Sequence, residues 1–115
     1  MLVACVSGIF NVPAQGTLVG MTDTAAYFPL LRGQRVAVLA NQTSVAEMPG
    51  AAGADVAGRV HLVDLLHGEG FDVAAIFSPE HGFRGTADAG ERVGDSVDEK
   101  TNIPIISMYK FGREG

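Results

Sequence analysis

Two short β-favouring runs, Arg35-Val36-Ala37-Val38-Leu39-Ala40 and Asp72-Val73-Ala74-Ala75-Ile76-Phe77, constrain this chain more than any other feature. Their apolar residues are nearly continuous rather than alternating, which is the pattern of a fully buried strand. Between them Val60, Leu62, Val63, Leu65 and Leu66 recur at helical spacing, and Gly68 and Gly70 stop the helix. Strand, helix and strand within about forty residues make a βαβ unit, which requires a parallel sheet and a right-handed crossover. Ile103-Pro104-Ile105-Ile106-Ser107-Met108-Tyr109 is a third strand, with its proline near the start, where a missing N–H is tolerated. Ahead of the sheet, Thr22-Asp23-Thr24 offers side-chain acceptors for a helix start. Ala25, Ala26, Phe28, Leu30 and Leu31 supply that helix with an apolar face, broken by Pro29 and ended at Gly33. The small, glycine-rich residues 46–58 read as a flexible surface loop. The expected fold class is therefore α/β: a parallel sheet with flanking helices.

Composition limits the function classes. At 115 residues the chain holds one small domain, and 47 % hydrophobic residues permit a core. Three parallel strands and two helices leave sheet faces uncovered, whereas a doubly wound domain covers both. The pattern therefore predicts an incomplete domain that alone is inactive or marginally folded and melts broadly. The net charge of −5, without any basic run, excludes nonspecific nucleic-acid binding, which needs a basic surface against phosphates. No Gly-x-Gly-x-x-Gly or Walker loop follows the first strand, which disfavours a nucleotide-binding α/β domain. The sequence points to no cofactor and no metal. His61 and His67 lie six apart, on opposite sides of a helix, and read as surface or helix-end residues.

Residues 1–18 form a leader. Its first sixteen residues are apolar and end in Val12-Pro13-Ala14-Gln15-Gly16, like the hydrophobic core and small-residue exit of a signal peptide without its basic start. The alternative is a disordered terminus. The single cysteine, Cys5, excludes an internal disulfide. It reads either as a small apolar leader residue or, through the spacing Leu2-Val3-Ala4-Cys5, as a lipid-anchor site. No run of 18 apolar residues supports a membrane span. The expected location is outside the cytoplasm, periplasmic or extracellular, and residues 19–115 form the domain.

The chemistry gathers after the strands. Asn41-Gln42-Thr43-Ser44 follows the first strand, and Ser78-Pro79-Glu80-His81-Gly82-Phe83-Arg84-Gly85 through Glu91 follows the second. Open α/β sheets place ligand sites at these carboxyl ends, and a parallel sheet sets the ends side by side. Pro79 fixes its own φ and biases Ser78 towards extended geometry, so Glu80 sits on a stiff turn. A general acid needs such placement with partial desolvation. Glu91 and Asp95 are candidates for a second carboxylate, the pairing that glycoside hydrolysis uses. Arg84 offers a planar fork to a substrate carboxylate. His81 suits orientation of Glu80 or contact with hydroxyls, and Asn41, Gln42 and Thr43 suit sugar hydroxyls or an N-acetyl group. Each also has a plain structural reading, as a loop brace, a solvated charge or a strand end.

The blocks Val38-Leu39-Ala40-Asn41-Gln42-Thr43-Ser44, His61-Leu62-Val63-Asp64-Leu65-Leu66, Ile76-Phe77-Ser78-Pro79-Glu80-His81-Gly82-Phe83-Arg84-Gly85, Ala89-Gly90-Glu91 and Ile103-Pro104-Ile105-Ile106-Ser107-Met108-Tyr109 resemble, in this order, the amino-terminal part of the NamZ-type exo-β-N-acetylmuramidases. The resemblance spans about residues 20–110, and its phenylalanine-serine-proline-glutamate-histidine-glycine-phenylalanine-arginine-glycine block, residues 77–85, is specific. It implies a Rossmann-like amino-terminal domain followed by a smaller carboxyl-terminal one, with the active site in the cleft between them. It implies release of N-acetylmuramic acid from the non-reducing ends of peptidoglycan fragments. It makes Glu80 the leading catalytic candidate, with Asn41, His81 and Arg84 around it, and leaves the second group, Glu91 or another, open. Residues 47–58 stand out as an insertion. The alternative function is a noncatalytic remnant or carbohydrate-binding α/β module.

Overall fold

The structure, a computed structural model, describes residues 19–79, 83–85 and 95–108. The expected leader, residues 1–18 with Cys5, lies outside them. A 3-10 turn at Gly20–Thr22 leads into helix α1 (Thr24–Leu31). Strands β1 (Arg35–Leu39), β2 (Val45–Glu47) and β3 (Arg59–His61) follow, then helix α2 (Leu62–Gly68). Strands β4 (Asp72–Ser78), β5 (Ser96–Val97) and β6 (Pro104–Ser107) complete the described elements. The main sheet has the order β1-β4-β6-β5. β1, β4 and β6 run parallel, and β5 pairs antiparallel to β6. The α/β class and the three expected strands are present, and Pro104 opens β6, where its missing N–H does least harm.

Register explains where the core sits. Val38 pairs with Ile76 and Ile76 with Ile105, so the three side chains share one face. All three are buried, with Ile76 fully so, beneath Val63 and Leu66 of α2 and beside Ala40, Phe83 and Ile103. One residue on, Leu39, Phe77 and Ile106 are also register partners and point the other way. Leu39 is 64 % exposed, and Phe77 and Ile106 are only half-buried. The near-continuous apolar runs predict strands covered on both sides. Among the described residues α2 covers one side, and the second face stands open.

Helix α1 packs Tyr27, Phe28 and Leu31 on the edge of this core. The expected break at Pro29 does not occur, and the helix runs on to Leu31 with Pro29 inside it. Tertiary contacts hold it: Phe28 meets Phe71 edge-on at 4.9 Å, and the Tyr27 hydroxyl donates to the Met21 carbonyl at 2.6 Å.

The segment after β1 differs most from expectation. Val60 fits the helical spacing of Leu62 to Leu66, yet it lies on a strand, because Arg59–His61 pairs antiparallel with Val45–Glu47. The helix consequently begins at Leu62. Residues between these strands are hydrogen-bonded rather than loose. Met48 N–H donates to the Gly58 carbonyl, and the Asp55 carboxylate accepts the N–H groups of Ala57 and Arg59, both at 2.9 Å. Gly53 lies against α2 with φ +76°, and a Cβ there would stand 2.7 Å from the Asp64 carbonyl oxygen. Only glycine permits both that angle and that approach. No helix among the described residues is long and apolar enough to cross a membrane.

Candidate functional site

The loops after β1 and β4 meet at the carboxyl edge of the sheet. The first begins at Asn41, whose side-chain carbonyl accepts the N–H of Thr43 at 2.9 Å and its hydroxyl at 2.7 Å. Such an Asx turn forms because a short amide side chain mimics the backbone two residues on. The Ser44 N–H closes the turn on the Asn41 carbonyl. With its oxygen engaged, Asn41 keeps its amide N–H groups free of partners among the described residues, as the exposed Gln42 keeps its whole amide.

The second loop is described at Phe83-Arg84-Gly85, and it lies against the first. Gly85 has φ +72°, and a Cβ on it would come within 3.0 Å of the Gln42 Cβ. His61 forms a second bridge. Its ring stands edge-on to the buried Phe83 ring at 4.6 Å, and its Nε2 lies 2.7 Å from the Asn41 carbonyl oxygen. The Val63 N–H donates to Nδ1 at 3.1 Å, so His61 also caps α2. An acceptor at Nδ1 places the proton on Nε2, which donates to Asn41. The ring is thus neutral, and burial pushes its pKa below the ordinary 6.5, against the pull of the Asn41 carbonyl. The helix-end role expected for His61 is what the structure has, while His67 sits exposed in the last turn of α2.

Arg84 is held on two sides. Its Nη1 and Nη2 donate to Asp64 at 3.0 and 2.9 Å, and its Nε and Nη2 donate to Asp98 at 2.8 and 2.7 Å. The guanidinium also lies over the Phe83 ring, 4.6 Å from its centre. Both aspartates are buried. Lys100 adds a bond to Asp64 at 3.0 Å, and Asp98 further accepts the N–H and hydroxyl of Thr101. Burial alone raises a carboxyl pKa, but here the donors outweigh it. Bonds from Arg84 and Thr101 hold Asp98 at about 2, and bonds from Arg84 and Lys100 hold Asp64 below its usual value. Asp98 and Asp64 in turn push the Arg84 pKa up. Among the described residues, partners engage four of the five guanidinium N–H groups. A bidentate grip on a substrate carboxylate, the role the sequence suggests, requires one aspartate to let go.

Of the candidate residues, Asn41, Gln42 and Thr43 come together with Arg84 at one edge. Glu80, His81 and Glu91 lie outside the described residues. Asp95 is described at the same edge, and its carboxylate accepts the Ser107 N–H at 3.1 Å. Sequence reasoning overlooked Asp64 and Asp98. The signal for Asp64 was available: a carboxylate inside Leu62-Val63-Asp64-Leu65-Leu66 must be buried beside its neighbours and needs a cation. Asp98, three residues before Thr101 in a short polar connection, carries no comparable mark. No group of three or more His, Cys, Asp or Glu side chains among the described residues could hold a metal ion.

Comparison with known proteins bears on this edge. The family model for the amino-terminal part of the exo-β-N-acetylmuramidase NamZ matches residues 36–114. The peptidoglycan β-N-acetylmuramidase NamZ of Bacillus subtilis (strain 168) is 34 % identical over 83 residues, which are 72 % of this chain and 18 % of that protein. A crystal structure of a DUF1343 family protein from Bacteroides fragilis NCTC 9343 superposes with a TM-score of 0.55 at 37 % identity, covering 79 % of this chain and 20 % of that one. A second such protein from the same organism gives 0.50 at 26 % identity, covering 75 % and 18 %. The chain thus spans about a fifth of the length of these relatives.

Proposed function

The chain belongs to the NamZ family of exo-β-N-acetylmuramidases, and from that premise we propose that it supplies one wall of a glycosidase site that removes N-acetylmuramic acid from the non-reducing ends of peptidoglycan fragments. The observation that carries this reading is the meeting of the Asn41–Ser44 and Phe83–Gly85 loops, through Gly85 against Gln42 and His61 between Asn41 and Phe83. Two strand-end loops bearing amides and hydroxyls suit a sugar, which is bound by many neutral hydrogen bonds. Asn41, Gln42 and Thr43 make up the sugar-facing side, with Arg84 behind them, and His81 is the candidate for a further contact with the sugar hydroxyls.

Glu80 is the general acid in this proposal. It donates its proton to the glycosidic oxygen as the bond to the sugar breaks and positive charge develops on the ring. Glu91 is the candidate for the second carboxylate, which meets that charge or activates the incoming water. Peptidoglycan lies outside the cytoplasm, so the reading carries an exported protein with it.

The test is hydrolysis of a chromogenic N-acetylmuramic acid glycoside. Residues 36–108 replace the matching segment of the Bacillus subtilis relative, so that the loops work within a full-length protein. The expected result is turnover that Glu80→Gln lowers by at least about a hundredfold, the ordinary contribution of a positioned acid. Unchanged turnover in Glu80→Gln rejects Glu80 as the acid, and cleavage by the relative but never by the hybrid rejects the wall.

A further inference from the structure

We propose that Asp64, Arg84 and Asp98 are positioning residues for the sugar site: a charged clamp that sets the second loop against the first without itself touching the sugar. The proposal rests on the reading of Asn41, Gln42 and Thr43 as the sugar-facing side.

Three chain segments meet in the clamp. Asp64 lies in the first turn of α2, Arg84 in the loop after β4, and Asp98 between β5 and β6. Both forks of Arg84 are bidentate, which fixes the guanidinium in orientation as well as position. The residue after it is Gly85, packed on Gln42, and the residue before it is Phe83, packed on His61, which holds Asn41. A shift of the Arg84 backbone therefore reaches Asn41 and Gln42 by two separate contacts.

Asp98 is anchored in its turn. It accepts the Thr101 N–H and hydroxyl as well as Arg84, and its own carbonyl accepts the Asn102 N–H at 2.7 Å. Asn102 has φ +61°, a conformation asparagine tolerates. With both aspartates buried, Arg84 cannot swing out without leaving Asp98 with only the neutral donors of Thr101 and Asp64 with Lys100 alone. That cost favours a fixed guanidinium over one that turns to greet a ligand.

The experiment separates positioning from contact. The 115-residue chain, native and as Arg84→Met or Asp98→Asn, is titrated by amide NMR with N-acetylmuramic acid and with N-acetylglucosamine, which lacks the carboxylate. A positioning residue affects both sugars alike, so both variants weaken each sugar by about tenfold and leave the ratio of the two Kd values unchanged. Weakening confined to N-acetylmuramic acid in Arg84→Met overturns the proposal, because it shows direct contact with the carboxylate. Hydrogen exchange gives an independent reading. The Thr43 and Ser44 amides exchange faster in both variants, while the Ile76 and Phe77 amides stay protected, though less strongly than in the native chain, which also shows that the sheet remains folded. Unchanged exchange at Thr43 and Ser44 overturns the clamp. A native chain that responds to neither sugar contradicts the sugar reading, and the exchange result then decides the clamp alone.

Discussion

Replacing Asp98 by asparagine removes the charge from the most heavily bonded carboxylate among the described residues while keeping its shape. The native group accepts two bonds from Arg84 and two from Thr101. These lower its pKa from 3.8 to about 2 despite burial. At roughly 1.4 kcal/mol per pKa unit, the charged form gains about 2 kcal/mol over the neutral one. Asparagine also turns an N–H₂ group towards donors, which adds about 1 kcal/mol. Asp98→Asn therefore costs about 3 kcal/mol at neutral pH. The pKa is depressed in the folded state, so this contribution is complete above 3.8 and disappears as pH falls towards 2. Urea titrations followed by far-UV circular dichroism at stepped pH measure the gap directly, and the absence of tryptophan makes fluorescence the poorer probe. The expected gap narrows to about 1 kcal/mol near pH 2. A gap that stays constant with pH, or is negligible at pH 7, refutes the argument that paired charge holds this corner.

Other outcomes follow from the same geometry. His61 titrates by NMR below 6.5, and because its folded pKa is depressed, its contribution to stability is present above 6.5 and declines as pH falls below it. Titration at or above 6.5 contradicts the neutral cap. Ile76→Ala lowers urea stability by about 3 kcal/mol, since Ile76 is fully buried in the central strand, whereas Leu39→Lys on the open face changes it by less than about 0.5 kcal/mol. Equal effects mean that the second face is covered. Gly85→Ala costs about 1–2 kcal/mol through its positive φ and the crowding against Gln42, and a neutral result removes the contact between the two loops.

The sheet was legible because local and global signals agree there. Val38, Ile76 and Ile105 lie in short apolar runs bounded by glycine or asparagine, and only a parallel arrangement fits the helical spacing between the first two. Val60 shows the limit of such reasoning. It belongs to the helical pattern, but the strand Val45–Glu47 offers its segment backbone partners, and pairing outweighs propensity. Pro29 shows another: packing of Phe28 on Phe71 accompanies a helix that propensity breaks. The edge that carries the candidate site was legible from loop composition, and Asn41, Gln42, Thr43 and Arg84 do gather there. The partners of Arg84 were not, because ion pairs across 20 and 14 residues leave no periodic trace. His61 was legible only as a helix end. Its contact with the Asn41 carbonyl spans 20 residues and depends on a hairpin the sequence did not announce.

The most direct test of the whole account is to map where N-acetylmuramic acid lands on the chain, by following every backbone amide through a titration. The largest changes are expected on residues 41–44 and 83–85, at the carboxyl edge of the parallel strands. Changes centred instead on Arg35, Phe71 and Asp72, at the opposite edge, would contradict it.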